Sequence, residues 1–162
     1  MAAKYSDADI DSMIREPKLL PQDYRSRVQL RDKRGHKERE LDVRGEDGTQ
    51  FRLILRQSQF NILDFSIILA VIPADSNQLF RLKRYNGRSH EHTNTIEGQT
   101  FYSFHIHTAT ERYQESGARE DAFAQPTDRH ADLHSALLYM LKDCGFRGPQ
   151  DAQALLFGEF DQ

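Results

Sequence analysis

The feature that most constrains this chain is a run of short segments alternating apolar and polar at period two, joined by connections too short to hold a helix. Residues 25–33 put Arg25, Arg27, Gln29, Arg31 and Lys33 on one side and Val28 and Leu30 on the other, the pattern of a half-buried strand. Arg34-Gly35 marks a turn. Residues 37–44 follow with Leu41 and Val43 inward, and Glu46-Asp47-Gly48 favours a hairpin. Residues 49–57 then put Phe51, Leu53 and Leu55 inward, with Arg52 and Arg56 outward. Residues 63–72 are apolar on both faces and rich in β-branched side chains, as a central strand is. Residues 78–85 and 100–108 supply a fifth and a sixth strand. Parallel pairing needs crossovers of about a dozen residues or more, so these segments are expected to pair antiparallel, as a meander.

Helical signals stand before and after the strands. Ser6 opens one, with Asp9 three residues on and Ile10, Met13 and Ile14 as its apolar face. Pro17 ends it, and Pro21 marks a linker. A second helix is expected from about Asp128 to Cys144, capped by Thr127 or Asp128. Its stripe is Leu133, Leu137, Leu138, Leu141 and Cys144, with Gly145 placed as a C′ glycine. Pro149 to Phe157 reads as a short last helix. The expectation is a single α+β domain over 1–162: an N-terminal helix and linker (1–24), an antiparallel sheet of about six strands (25–108), and a C-terminal helical region (127–162) packed on the sheet.

With 162 residues, the chain is long enough for one hydrophobic core without disulfides. The longest apolar run, Ile67 to Ile72, is far short of the ~20 residues a membrane helix needs. The first residues lack the basic and apolar regions of a secretory signal. The lone Cys144 excludes an internal disulfide and a Cys-rich zinc domain, and fits a reducing, cytoplasmic setting. Charge is uneven. Residues 25–56 carry ten bases against six acids, and residues 111–162 carry five against ten. A central basic region can face a polyanion, or simply solvate the open side of a sheet.

Two histidine pairs carry the chemistry. In His105-Ile106-His107 both imidazoles fall on one face of a strand. Tyr102, Phe104 and Ile106 read as the core side, and Ser103, His105 and His107 as the solvent side. His90-Glu91-His92 lies in the preceding loop. Simple pairing of the fifth and sixth strands sets Tyr85 near Thr100 and His105 near Phe80. The two pairs then meet only if the loop from Asn86 to Gln99 folds back over the sheet.

In one reading the histidines do acid–base work on a phosphodiester. One removes the 2′-hydroxyl proton of an RNA and the other protonates the leaving oxygen, with no metal. His105 and His107, with Glu111, Arg112 and Tyr113 close by in sequence, are the candidate catalytic residues. Arg81, Lys83, Arg84, Tyr85 and Arg88 would hold the nucleic acid, the cations at phosphate and a tyrosine (Tyr85 or Tyr113) under a base. In a second reading His90, His92, His105 and His107 bind a divalent transition metal such as zinc. Glu111 and the pair His130/His134, expected on one helix face, are further ligand candidates. His-Ala-Asp-Leu-His lacks the glutamate of the zincin motif. In a third reading the chain is a non-catalytic interaction module, such as an antitoxin, inhibitor or phage accessory protein, and the histidines are ordinary polar surface residues. Cys144 reads as a buried structural thiol, and Ser103 lacks a nucleophile elbow.

Residues 79–146 carry a resemblance. Arg84-Tyr85, the His90–Asn94 loop, the His105–His107 strand and the Glu111–Tyr113 turn resemble a pattern of small bacterial and mobile-element proteins. The pattern is distantly similar to TumE-type toxins of toxin–antitoxin modules. The resemblance implies a cytoplasmic bacterial or phage protein with a cognate protein partner. It brings no mechanism with it.

Overall fold

The computed structural model describes residues 3–148; the helix expected at Pro149 to Phe157 lies outside them. In chain order the elements are α1 (Asp7–Arg15), β1 (Lys18–Leu19), α2 (Tyr24–Arg27), β2 (Arg31–Lys33), β3 (His36–Arg44), β4 (Gln50–Ser58), β5 (Phe65–Val71), β6 (Phe80–Asn86), β7 (His92–Asn94), β8 (Gln99–Phe101), β9 (His105–Thr108), α3 (Glu111–Glu115), β10 (Ala124–Pro126), α4 (Leu133–Asp143) and β11 (Phe146–Arg147). The fold is α+β. Seven strands form one antiparallel sheet in the order β10-β9-β6-β5-β4-β3-β2. Space follows sequence except between β6 and β9, where β7 and β8 leave the sheet as a hairpin of their own. A short parallel pair, β1 with β11, ties the two ends of the described chain together.

One face of the sheet carries the core. Phe51, Leu53, Leu55, Phe65, Ile67, Leu69, Val71 and Tyr85 are all buried there, and α4 covers them through Ala136, Met140, Leu141 and Cys144. On the opposite face the register aligns Glu38, Arg56, Ser66, Asn86 and His105 in a row across five strands. That row leads to the histidines.

Several expectations are corrected. Residues 25–33 are not one strand: Tyr24–Arg27 form a single helical turn and only Arg31–Lys33 pair with β3. Tyr24 is buried and Val28 packs on the core, so the i, i+4 spacing of these two outweighs the alternation around them. The sixth strand is split. Gln99–Phe101 pair with His92–Asn94, while His105–Thr108 pair with β6. His105 therefore stands opposite Asn86, not near Phe80, because the intervening residues are spent on the hairpin. Strand β10 and the helical turns α2 and α3, both of which fall between strands, were not anticipated. Helix α4 starts later than expected. Asp132 caps it, accepting from Ser135 N at 2.7 Å in a capping box. Leu141 and Cys144 of the expected stripe are buried, joined by Ala136 and Met140, whereas Leu133, Leu137 and Leu138 are only partly covered. The N-terminal helix is as read: Ser6 caps it, accepting from Asp9 N, and Gly145 adopts φ +74° past the end of α4.

A buried lysine joins the two helices. Lys18 is fully buried, and its Nζ donates to the carbonyls of Met13, Ile14, Glu16 and Cys144 at 2.7–2.9 Å. These are carbonyls at the C-terminal ends of α1 and α4, which a helix leaves without partners. The ammonium also lies 4.5 Å from the centroid of the Phe51 ring.

Candidate metal centre

His105 and His107 project from the outer face of β9, the side opposite Tyr85 and Ile106, but that face is not open there. Burial leaves His105 0% and His107 3% exposed, which corrects the expectation of solvent-facing rings. The cover is the β7–β8 hairpin, which folds back over β9. His92 stacks on His105 at 5.4 Å between centroids and meets His107 edge-on at 4.9 Å. The His105 and His107 rings are 4.9 Å apart. One ring nitrogen from each of the three lies within 4.8 Å of the other two.

The hairpin is held in place by residues that sequence reading had assigned to catalysis. Tyr113 is buried, donates through its hydroxyl to Glu97 Oε1 at 2.6 Å and accepts from Ile96 N at 3.2 Å. Arg112 pairs with the same Glu97 at 2.6 Å and lies over the Phe123 ring. Their ties lower the Glu97 carboxyl from its ordinary value, the Tyr113 hydrogen bond first. Glu111 faces the other way, accepting from Asp7 N at 3.1 Å. At the turn end of the hairpin the buried Asn94 side chain pairs with β10 like a strand backbone. Its Nδ2 donates to Ala124 O at 2.7 Å and its Oδ1 accepts from Ala124 N at 2.9 Å.

Each clustered histidine has one nitrogen occupied by an oxygen acceptor. His105 Nδ1 is 2.8 Å from Ser103 O, His107 Nδ1 is 2.7 Å from Asp121 O, and His92 Nε2 is 2.9 Å from Asn94 Oδ1. Carbonyl oxygens only accept, so these nitrogens carry the hydrogens and the opposite ring nitrogen of each keeps a lone pair. This is the tautomer pattern of metal-binding histidines. Asn86 closes the row. Its Oδ1 accepts from Ser66 Oγ at 2.8 Å and its Nδ2 is 3.4 Å from His105 Nε2.

The electrostatics point the same way. Burial pushes the His105 imidazolium down to about 4, aided by His92, His90 and Arg84. Burial, then Arg84 and the neighbouring rings, pushes His107 down to about 2. Both are neutral at pH 7. Arg84 is mostly buried beside them, with Nε 3.1 Å from Asp121 Oδ2; Asp121 is itself fully buried and is also paired with Arg119 at 3.6 Å.

The basic segment does not form one patch. Arg81 pairs with Glu120 at 3.8 Å and Arg84 with Asp121, whereas Lys83 faces α4 and pairs with Asp143 at 2.9 Å. Tyr85 is fully buried and donates to Asp143, with Cys144 Sγ at 3.4 Å, so its ring cannot meet a base. Arg88 is exposed and lies over Tyr102. His130 precedes α4 and sits in the core, donating to Asn86 O at 2.8 Å, while His134 is exposed on the helix. They do not share a face. Asn94, Asn86, Ser66 and Asp121 were missed. An asparagine inside a His-Thr-Asn strand was the one available signal, since Asn is depleted in strands.

No family model matches this chain, and no curated protein or solved structure matches it significantly.

Proposed function

We propose that this protein binds a divalent transition metal ion through His92, His105 and His107. The observation that carries the reading is the convergence of three imidazoles from a strand and a hairpin, each with one nitrogen on an oxygen acceptor and a lone pair on the other, the one on His105 reached only by a long 3.4 Å contact from Asn86 Nδ2. Neutral imidazole suits zinc, cobalt, nickel and copper, whereas magnesium and calcium select oxygen. Zinc–nitrogen bonds near 2.1 Å place tetrahedral ligands about 3.4 Å apart, so modest ring movements close the observed spacing. A bound ion would supply Lewis acidity at that point. The protein supplies the fixed tautomers, the buried walls and, through Tyr113 and Arg112, the anchoring of the strand that bears His92.

Metal binding is favoured over acid–base cleavage of RNA because the second mechanism needs a protonated imidazole near neutral pH. Burial leaves His105 and His107 as two bases and no acid. Elemental analysis of untagged protein, followed by zinc titration of the metal-free form, tests the proposal. One equivalent of tightly held metal, lost on replacing His105 and His107 with Ala in a protein that still folds, is the expected result. Zinc binding equally strong in the folded variant would overturn it.

A further inference from the structure

Building on that reading, we infer that His90 is the fourth ligand and closes the coordination sphere. Three observations support this. First, the His90 ring lies 6.1 Å from the His105 ring and meets it at 85°, next to the cluster without yet being part of it. Second, His90 is exposed whereas His105 and His107 are buried and His92 is half-buried, so it stands where the cluster borders solvent. Third, its segment lies between two fixed points. Arg88 N is fixed to Leu63 O at 2.8 Å and strand pairing resumes only at His92, while Ser89 to Glu91 belong to no strand or helix. Among the described residues its hydrogen-bond partner is the adjacent Ser89, whose Oγ is 3.1 Å from His90 Nδ1. Rotation of this short span carries one imidazole toward the ion, while the other three are already fixed by their acceptors.

Among the described residues, the grouped His, Cys, Asp and Glu ligand atoms at this point are those of His92, His105 and His107 alone. The nearby buried carboxylate, Asp121, is engaged by Arg84 and Arg119. Closure by His90 gives an all-imidazole sphere, suited to borderline ions such as zinc, cobalt or nickel. It leaves no water on the ion until His90 swings out.

Cobalt(II) tests this, because its visible spectrum reports ligand number and type. The experiment uses full-length, metal-free protein and its His90→Ala variant, each titrated with cobalt and then with azide or imidazole. The wild-type protein is expected to give the intense visible band of tetrahedral cobalt and to ignore azide. His90→Ala is expected to bind cobalt more weakly, by more than the roughly tenfold that losing an outer-shell partner costs. Its spectrum should shift as water enters, and free imidazole should restore the wild-type band. If azide shifts the wild-type spectrum as readily as that of His90→Ala, the fourth position belongs to solvent; this inference then fails and the three-histidine site stands. If the wild-type protein gives no cobalt band and binds no zinc, the site reading itself fails, and this inference with it.

Discussion

Acidification should weaken the metal-free fold through the buried histidines well before any carboxylate is affected. In the unfolded chain an imidazole titrates near 6.5. In the folded protein His105 titrates near 4 and His107 near 2. The unfolded state therefore binds more protons once the pH falls below about 6.5, and stability present above that value is lost as the pH drops toward 4. At pH 5 each unfolded imidazole is about 1.5 pH units below its pKa, which is about 2 kcal/mol, or about 4 kcal/mol for the pair. The figure is insensitive to how far below 5 the folded values lie, because neither folded histidine takes up a proton in this window. His130, lowered by burial in the core, adds a share of the same sign. Glu38, held down to about 2 chiefly by its hydrogen bond from Lys33, begins to matter only below the ordinary glutamate range near 4.5. Urea unfolding at pH 7.5 and pH 5, with chelator present, measures the loss. The control is His105→Asn with His107→Asn, which retains a donor for the Ser103 and Asp121 carbonyls but cannot titrate. Wild-type protein should lose about 4 kcal/mol more than the double variant between the two pH values, a large part of the roughly 5–15 kcal/mol typical of a domain. Equal losses in the two proteins would refute the assignment of these rings as buried, neutral bases.

Three further perturbations test the supports around the site. Tyr113→Phe removes the hydroxyl that bonds Glu97 and Ile96 N. It should cost about 1–2 kcal/mol, speed amide exchange in the 92–101 hairpin, and weaken zinc binding about tenfold while His105 and His107 stay intact. Lys18→Met takes the ammonium away from four carbonyls at the ends of α1 and α4, and urea denaturation should show a loss of about 3 kcal/mol or more. Gly87→Ala would place a Cβ 1.9 Å from Leu63 O; a loss of about 1–3 kcal/mol is expected, and thermal unfolding unchanged from wild type would contradict the close packing of β5 against the end of β6.

The strands that could be read from the sequence are those whose period-two pattern coincides with real burial. Leu41 and Val43, Phe51, Leu53 and Leu55 lie where the alternation puts them, and Phe65–Val71 of the doubly apolar 63–72 segment form the central strand, with Leu63 left exposed before it. The pattern misled where a second period fits the same residues. Tyr24 and Val28 satisfy a helical turn, which buries Tyr24 and sets the half-buried Val28 against the core. Strand β10 has no pattern at all. Ala124, Gln125 and Pro126 are placed by backbone pairing to β9 and by the Asn94 side chain, neither of which leaves a mark in hydropathy.

The same distinction explains the site. Alternation in 100–108 correctly placed His105 and His107 on the face away from Tyr85, but a strand's period says only which side a residue takes, not what lies over that side. Here the cover comes from ten residues of the preceding connection, 92–101, closing on themselves as a hairpin. Their position depends on contacts across large sequence gaps: Glu97 with Arg112 and Tyr113, and Asn94 with Ala124. Such contacts are invisible to any window of sequence. Burial then reverses the chemistry that the residue types suggested, since histidine chosen for titrating near neutrality becomes a fixed base once its ring is desolvated. Glu111, Arg112 and Tyr113 show the converse. Their nearness to His107 in sequence suggested catalysis, yet Arg112 and Tyr113 act on the cluster through Glu97 and the hairpin, while Glu111 ties α3 to Asp7 at the start of α1. Disrupting the Glu97 anchor should therefore alter His92's share of metal binding before it alters that of His105 or His107, whose acceptors lie outside the hairpin, at Ser103 and Asp121.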